Sequence, residues 1–263
     1  MRHKLYRLQK KQRGILEQKA KKTGGVQAAS LARHIPTGAQ AAMERAFCAA
    51  FATVFQKGIG VIEHTYGREE REERHRMQAA LFARKPGRRS LRALEKSALR
   101  GQELAALATA AEGGILGAAG IGLPDIPLFA GVLLRGVCQI AVGYGFDHDS
   151  REERTYLLSV IRCALTEGPD VWEMDRETDL LGNSIGHTRG FAVPEEMFQT
   201  ALTNTGEALS RTMLGIKFLQ GIPLIGVAGG AANFSVYQKV IRWAALKYEQ
   251  RCLQTGGPLC VRG

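Results

Sequence analysis

Residues 112–147 read EGGILGAAGIGLPDIPLFAGVLLRGVCQIAVGYGFD, and no other stretch restricts the fold as strongly. A helix carrying Gly113, Gly117 and Gly120 has almost no side chain on that face, so a second backbone can approach closely. Pro124 and Pro127 then force a corner. Asp125 lies between them, an acid among apolar neighbours, which marks it as a helix cap or a binding group. Beyond the corner an apolar helix is expected over 126–142, interrupted only by Arg135. Gly145 is placed to end it in a left-handed cap.

A second corner echoes the first. Ile222, Pro223 and Leu224 precede Gly226 and Gly230, as Ile126, Pro127 and Leu128 precede Gly131. Each pattern reads as a helical hairpin with a Gly/Ala-lined face. Elsewhere the helical period dominates: Phe47, Phe51, Phe55 and Ile59 recur every four residues within 41–62. Ser150 and Glu153 form a capping box, Asp170 and Glu173 mark a short helix, and Pro194 opens a long one. Residues 84–90 and 182–193 read as loops, with Ser90 capping the helix after the first. No strand-length window alternates apolar with polar residues, and aromatics make up only 7%. The expected fold is therefore all-α, a multi-helix bundle with two Gly/Ala-rich, proline-cornered hairpins.

Charge is concentrated at one end. Of the net +11, a surplus of eight lies in residues 1–22, where nine Lys/Arg face Glu17 alone. Lys4, Arg7, Lys10, Lys11 and Arg13 are its candidate lipid contacts. The stretch carries only a thin apolar stripe from Leu5, Leu8, Ile15 and Leu16, and reads as a basic arm over 1–25. A solvated tail, an anchor for anionic lipid and a nucleic-acid arm all fit. Nucleic acid is disfavoured because the body shows no basic–aromatic alternation. A helical domain over 26–253 and a flexible tail over 254–263 complete the expected organisation. Five scattered cysteines have no zinc or redox spacing and are expected to be reduced thiols.

The windows 104–123 and 126–146 are long enough to span a bilayer, yet each holds a mid-window charge, Glu112 or Arg135. A core hairpin is the plainer reading, and a hairpin lying on a bilayer the sharper one. No signature of nucleophilic catalysis or phosphate binding is present. The charged run REEREERHR (68–76) reads as a solvated helix surface with i,i+4 pairs. Within it, Glu72 and His75 supply half of a di-iron pattern whose other half is missing. No metal and no cofactor is expected. There remains a set of polar groups in apolar surroundings: Glu112, Asp125, Arg135, Tyr144, Asp147, Lys217 and Asn233. An ion-pair network, a ligand pocket between the hairpins, or catalysis by acids such as Asp125 and Asp147 would each use them.

Several of these words, taken in order, resemble the EcsC family. They are Glu112, Gly113 and Gly114; GLPDIP at 122–127; Leu134 and Arg135; and YGFD at 144–147. REER at 151–154, Lys217 through Gly226, and Ala231, Ala232 and Asn233 come after them. The resemblance covers about 40–250 and leaves the basic arm outside. It implies an all-helical, soluble-to-peripheral bacterial protein. The founding member is encoded beside an ABC transporter, which implies an accessory role at the inner face of the cytoplasmic membrane. Anionic lipid or a membrane protein, such as a transporter, would be the partner. A hydrolase, or a binder of lipid-like ligands, is the alternative.

Overall fold

A computed structural model describes residues 1–22, 37–55, 60, 63, 66–101, 125–188, 190–219 and 229–255. Within them the chain forms α1 (Arg2–Lys21), α2 (Thr37–Thr53), α3 (Arg68–Arg84), α4 (Arg88–Ala98) and α5 (Asp125–Gly143). Then come α6 (Arg151–Leu165), α7 (Val171–His187), α8 (Glu195–Leu219) and α9 (Gly229–Gln254). No strand occurs among the described residues, as expected for an all-α bundle. Of the first proline corner, Pro124 and the residues before it back to 102 lie outside the described residues, while Asp125, Ile126 and Pro127 begin α5; the second corner, at 220–228, lies outside them.

Helix α5 occupies the middle, packed against α2, α3, α4 and α9. Leu133, Leu134, Val137, Cys138, Ile140 and Ala141 on it are fully buried. Its span Ile126–Gly143 has a mean hydropathy of 1.7 and could cross a membrane by length and composition, but 72% of it is inside the protein. That burial explains its apolarity without a bilayer. Around it, α6 and α8 pack on each other and on α9, and α8 covers α2. The phenylalanine stripe of α2 and of the residues just after it faces this core, with Phe47 edge-on to Phe129 at 6.4 Å and Phe55 edge-on to Phe198 at 5.8 Å.

Glycine permits the tightest crossings. A Cβ on Gly136 would lie 2.6 Å from Ile241 Cδ1 and 2.7 Å from Tyr237 Oη, so α5 and α9 close on each other at this level. Gly206 does the same for α8, where a Cβ would meet Cys48 Sγ at 2.6 Å. At the end of α5, Gly145 adopts φ +85°, which a side chain resists. Phe146 N–H donates to Ala141 O at 2.9 Å and Gly145 N–H to Val142 O at 3.0 Å, the paired bonds of a left-handed cap.

Four local expectations change. Residues 2–21 are not a free arm but a helix seated on α9 and α7, with Leu8, Gln12, Leu16 and Lys19 buried along one stripe. Helix α7 runs to His187, so much of the expected 182–193 loop is helical. Gly182 makes this possible, since a Cβ there would lie 2.7 Å from the Tyr156 ring. Ser90 is not the cap of α4. That position is Gly87, and the Ser90 hydroxyl donates back to Lys85 O at 2.9 Å. The charged run on α3 is solvated on one side only, because Arg71 and His75 are buried. Its surface pairs, Arg68 with Glu72 and Arg74 with Glu70, do form.

The capping box at Ser150 forms in half: its Oγ accepts from Glu153 N–H at 3.2 Å, while the Glu153 side chain turns inward. The described cysteines, Cys48, Cys138, Cys163 and Cys252, are all free thiols.

Candidate functional site: a basic cleft backed by a buried polar network

Only part of the polar set singled out in the sequence falls on described residues. Glu112 and the side chains of Asp125 and Lys217 lie outside the described residues. Arg135 and Tyr144 are on α5 and at its end, more than two turns apart, and Asn233 is buried near the start of α9. Tyr144 is buried as well. Asp147 corrects the expectation of a buried acid: it is exposed, and its Oδ1 accepts from Asp149 N–H at 3.3 Å within a turn.

A different polar set meets where α1, α6, α7 and α9 pack together. Lys247 Nζ, fully buried, lies 2.6 Å from both Asp175 Oδ1 and Asp179 Oδ1. Gln12 Nε2 donates to Asp175 Oδ2 at 2.7 Å, and Gln250 Nε2 donates to Gln12 Oε1 at 2.8 Å. Burial works against the Lys247 charge, yet Asp179 and Asp175 outweigh it and hold its pKa above the usual lysine value. Beside this cluster, Arg251 binds Glu153 at 2.7 Å with its guanidinium 4.4 Å from the Phe146 ring and 4.5 Å from the Tyr156 ring. Lys19 donates to Cys163 O at 2.6 Å and faces the Trp243 ring at 4.9 Å, and burial pushes its pKa down to about 8.

None of these pairs had a periodic signal. Tyr248, Glu249, Gln250 and Arg251 are consecutive and all buried, because neighbours enclose this part of α9 on every side. The one usable cue was Gln12, which falls on the same helical stripe as Leu8 and Leu16.

A second cluster joins α3 to the turn after α5. Arg68 binds Glu63 at 2.5 Å, Asp149 at 2.6 Å and Glu72 at 2.7 Å. His148 Nε2 is 2.8 Å from Tyr66 Oη, and its Nδ1 is 3.6 Å from Glu63. Potential ligand atoms of Glu63, His148 and Asp149 lie within 4.8 Å of one another. Arg68 already supplies the cation between these carboxylates, so a metal ion would have to displace it. The Glu72–His75 half-motif divides between partners: Glu72 goes to Arg68, whereas His75 Nδ1–H donates to Gly143 O at 3.0 Å.

Burial lowers the pKa of both His75 and His148, and the charge of Arg68 adds to the effect at His148. Both are therefore neutral in the folded chain at a pH where the unfolded chain begins to take up protons, near 6.5. Stability is complete above that value and is lost as pH falls through and below it. Moving from about pH 7.5 to about pH 5.5 should cost about 1–3 kcal/mol in a urea titration. An unchanged midpoint would show that these imidazoles are not buried neutral.

A cleft of about 740 Å³ lies between α1 and α4. Lys4, Arg7 and Lys11 approach from α1, and Arg88 and Arg92 from α4. Leu8, Phe82 and Leu91 supply apolar surface. Two carboxylates, Glu95 and Glu249, also line it, and Lys4 binds both, at 3.0 and 2.9 Å. Lys4 is thus a structural cation and not the free lipid contact expected of it. Arg7, Lys11, Arg88 and Arg92 have no ion pair among the described residues.

The amino-acid sequence matches the EcsC protein family over residues 1–253. The match begins with the basic segment, which the resemblance in the sequence had left outside. No curated protein and no solved structure matches the chain.

Proposed function

The chain belongs to the EcsC protein family, and on that premise we propose that it is a peripheral membrane accessory protein that meets anionic lipid through the basic side of α1. The carrying observation is that Arg7, Lys10, Lys11 and Arg13 remain exposed on a helix whose opposite stripe is docked on the body. A docked helix presents its cations in fixed positions, so little ordering entropy opposes contact with a charged surface. Each such cation contributes about 1 kcal/mol close to an anionic bilayer. Helix α5 takes no part, since its apolar side chains are already used in the core.

Co-sedimentation with vesicles tests the reading. Vesicles of phosphatidylglycerol and phosphatidylcholine should retain the protein at low salt, and pure phosphatidylcholine should not. Replacing Lys10→Gln and Arg13→Gln together removes about 2 kcal/mol and should weaken binding about thirtyfold. Salt near 1 M, where screening acts over about 3 Å, should release it. Equal recovery with charged and neutral vesicles would remove the proposal.

A further inference from the structure

We propose that the α1–α4 cleft is a binding site for the phosphate headgroup of an anionic lipid, a phosphomonoester such as phosphatidic acid matching it best. This deepens the membrane reading and rests on it. General attraction to a charged bilayer needs only exposed cations, whereas the cleft has three further properties that suit one anionic group.

The first is charge arrangement. Five cations line the cleft against two carboxylates, and both carboxylates are held by Lys4. Arg7 and Lys11 on one wall and Arg88 and Arg92 on the other therefore present like charge to a shared space. An anion held between the walls turns that repulsion into attraction.

The second is the start of α4. Its N-cap is Gly87, which offers no side-chain acceptor, and its first turn has no acid. Arg88 and Arg89 instead place positive charge at the positive end of the helix dipole. Gly87 and Arg88 both line the cleft, so an anion there would meet this uncapped turn as well as the guanidinium groups.

The third is the apolar surface of Leu8, Phe82 and Leu91 beside the cations. A free inorganic anion makes no use of it, while the glycerol and first methylenes of a lipid do. The volume, about 740 Å³, lies in the range of small-molecule sites, roughly 300–1,000 Å³.

The test compares Arg88→Gln/Arg92→Gln with Arg176→Gln/Arg211→Gln, a charge-matched pair on the exposed surfaces of α7 and α8. Vesicles containing phosphatidic acid are the first probe, and monomeric dioctanoyl phosphatidic acid and glycerol 3-phosphate in calorimetry the second and third. The cleft pair should weaken binding of both phosphatidic acid probes about tenfold, and the control pair should stay within about twofold. Glycerol 3-phosphate should bind at least about tenfold more weakly than the short-chain lipid. Equal losses in the two variant pairs would overturn the site. Equal affinity for glycerol 3-phosphate would overturn the lipid assignment and leave a soluble phosphate as ligand. Failure of the wild-type protein to bind any vesicle removes the membrane reading, while the short-chain probe still decides the cleft.

Discussion

Lys247→Met is expected to lower the unfolding free energy by about 3–5 kcal/mol, the usual cost of stripping one partner from a buried ion pair. Lys247 is fully buried and lies 2.6 Å from each of two aspartates. Methionine fills a similar volume, so the loss reports charge and not a cavity. Asp175 would remain buried with only Gln12 and the weak Cys163 thiol as donors, whereas Asp179 is half-exposed and can turn to water. Adding Asp175→Leu to Lys247→Met should recover much of the loss, because removing both partners leaves no stranded charge. Urea denaturation of the two variants checks this; a single-variant loss below about 1 kcal/mol would show the pair to be solvated. Since Gln12 carries the network into α1, Lys247→Met should also expose Lys10 and Lys11 to trypsin sooner.

Gly143→Ala is expected to destabilise the protein by about 1–3 kcal/mol or more, opposite in sign to helix propensity. In an exposed helix interior the same change would stabilise by up to about 1 kcal/mol. At this position a Cβ would lie 2.7 Å from both the Cα and the O of Ala98. The obstacle is backbone, so no rotamer change relieves it, and α4 must shift bodily away from α5. The Gly143 carbonyl also accepts the His75 hydrogen bond, which ties α3 to the same end of α5. A thermal melt gives the sign directly. The displaced α4 carries Arg88 and Arg92, so the variant should lose phosphatidic acid affinity in proportion to the shift.

Much of the fold was legible because apolar residues recur at the helical period and cap residues stand at fixed offsets. The Phe47–Phe51–Phe55 stripe, the Ser150 cap and the Gly145 turn all appear where the sequence places them. The basic segment was harder, because Leu8 and Leu16 are too thin a stripe to imply a docked helix. Gln12 and Lys19 complete it, and polar residues on a buried stripe become readable only once Asp175, Gln250 and the Cys163 carbonyl are known to face them. The cleft was unreadable for a similar reason. Arg88 and Arg92 are about eighty residues from Arg7 in the chain, and only packing of α1 beside α4 brings them together. Asp147 misled because its neighbours Tyr144 and His148 are buried while the turn itself points it outward.

Gln250 bonds Gln12 across 238 positions of sequence, so the packing of α1 is completed by α9. During synthesis α1 leaves the ribosome long before α9 exists to receive it, and a polar helix of twenty residues is marginal alone in water. For that interval Lys4 lacks Glu249 and Lys19 lacks the Trp243 ring, so their docking surface is incomplete. A bilayer met during translation would therefore compete for α1 before the body does, and the order of emergence, not affinity alone, would decide where the nascent chain first comes to rest.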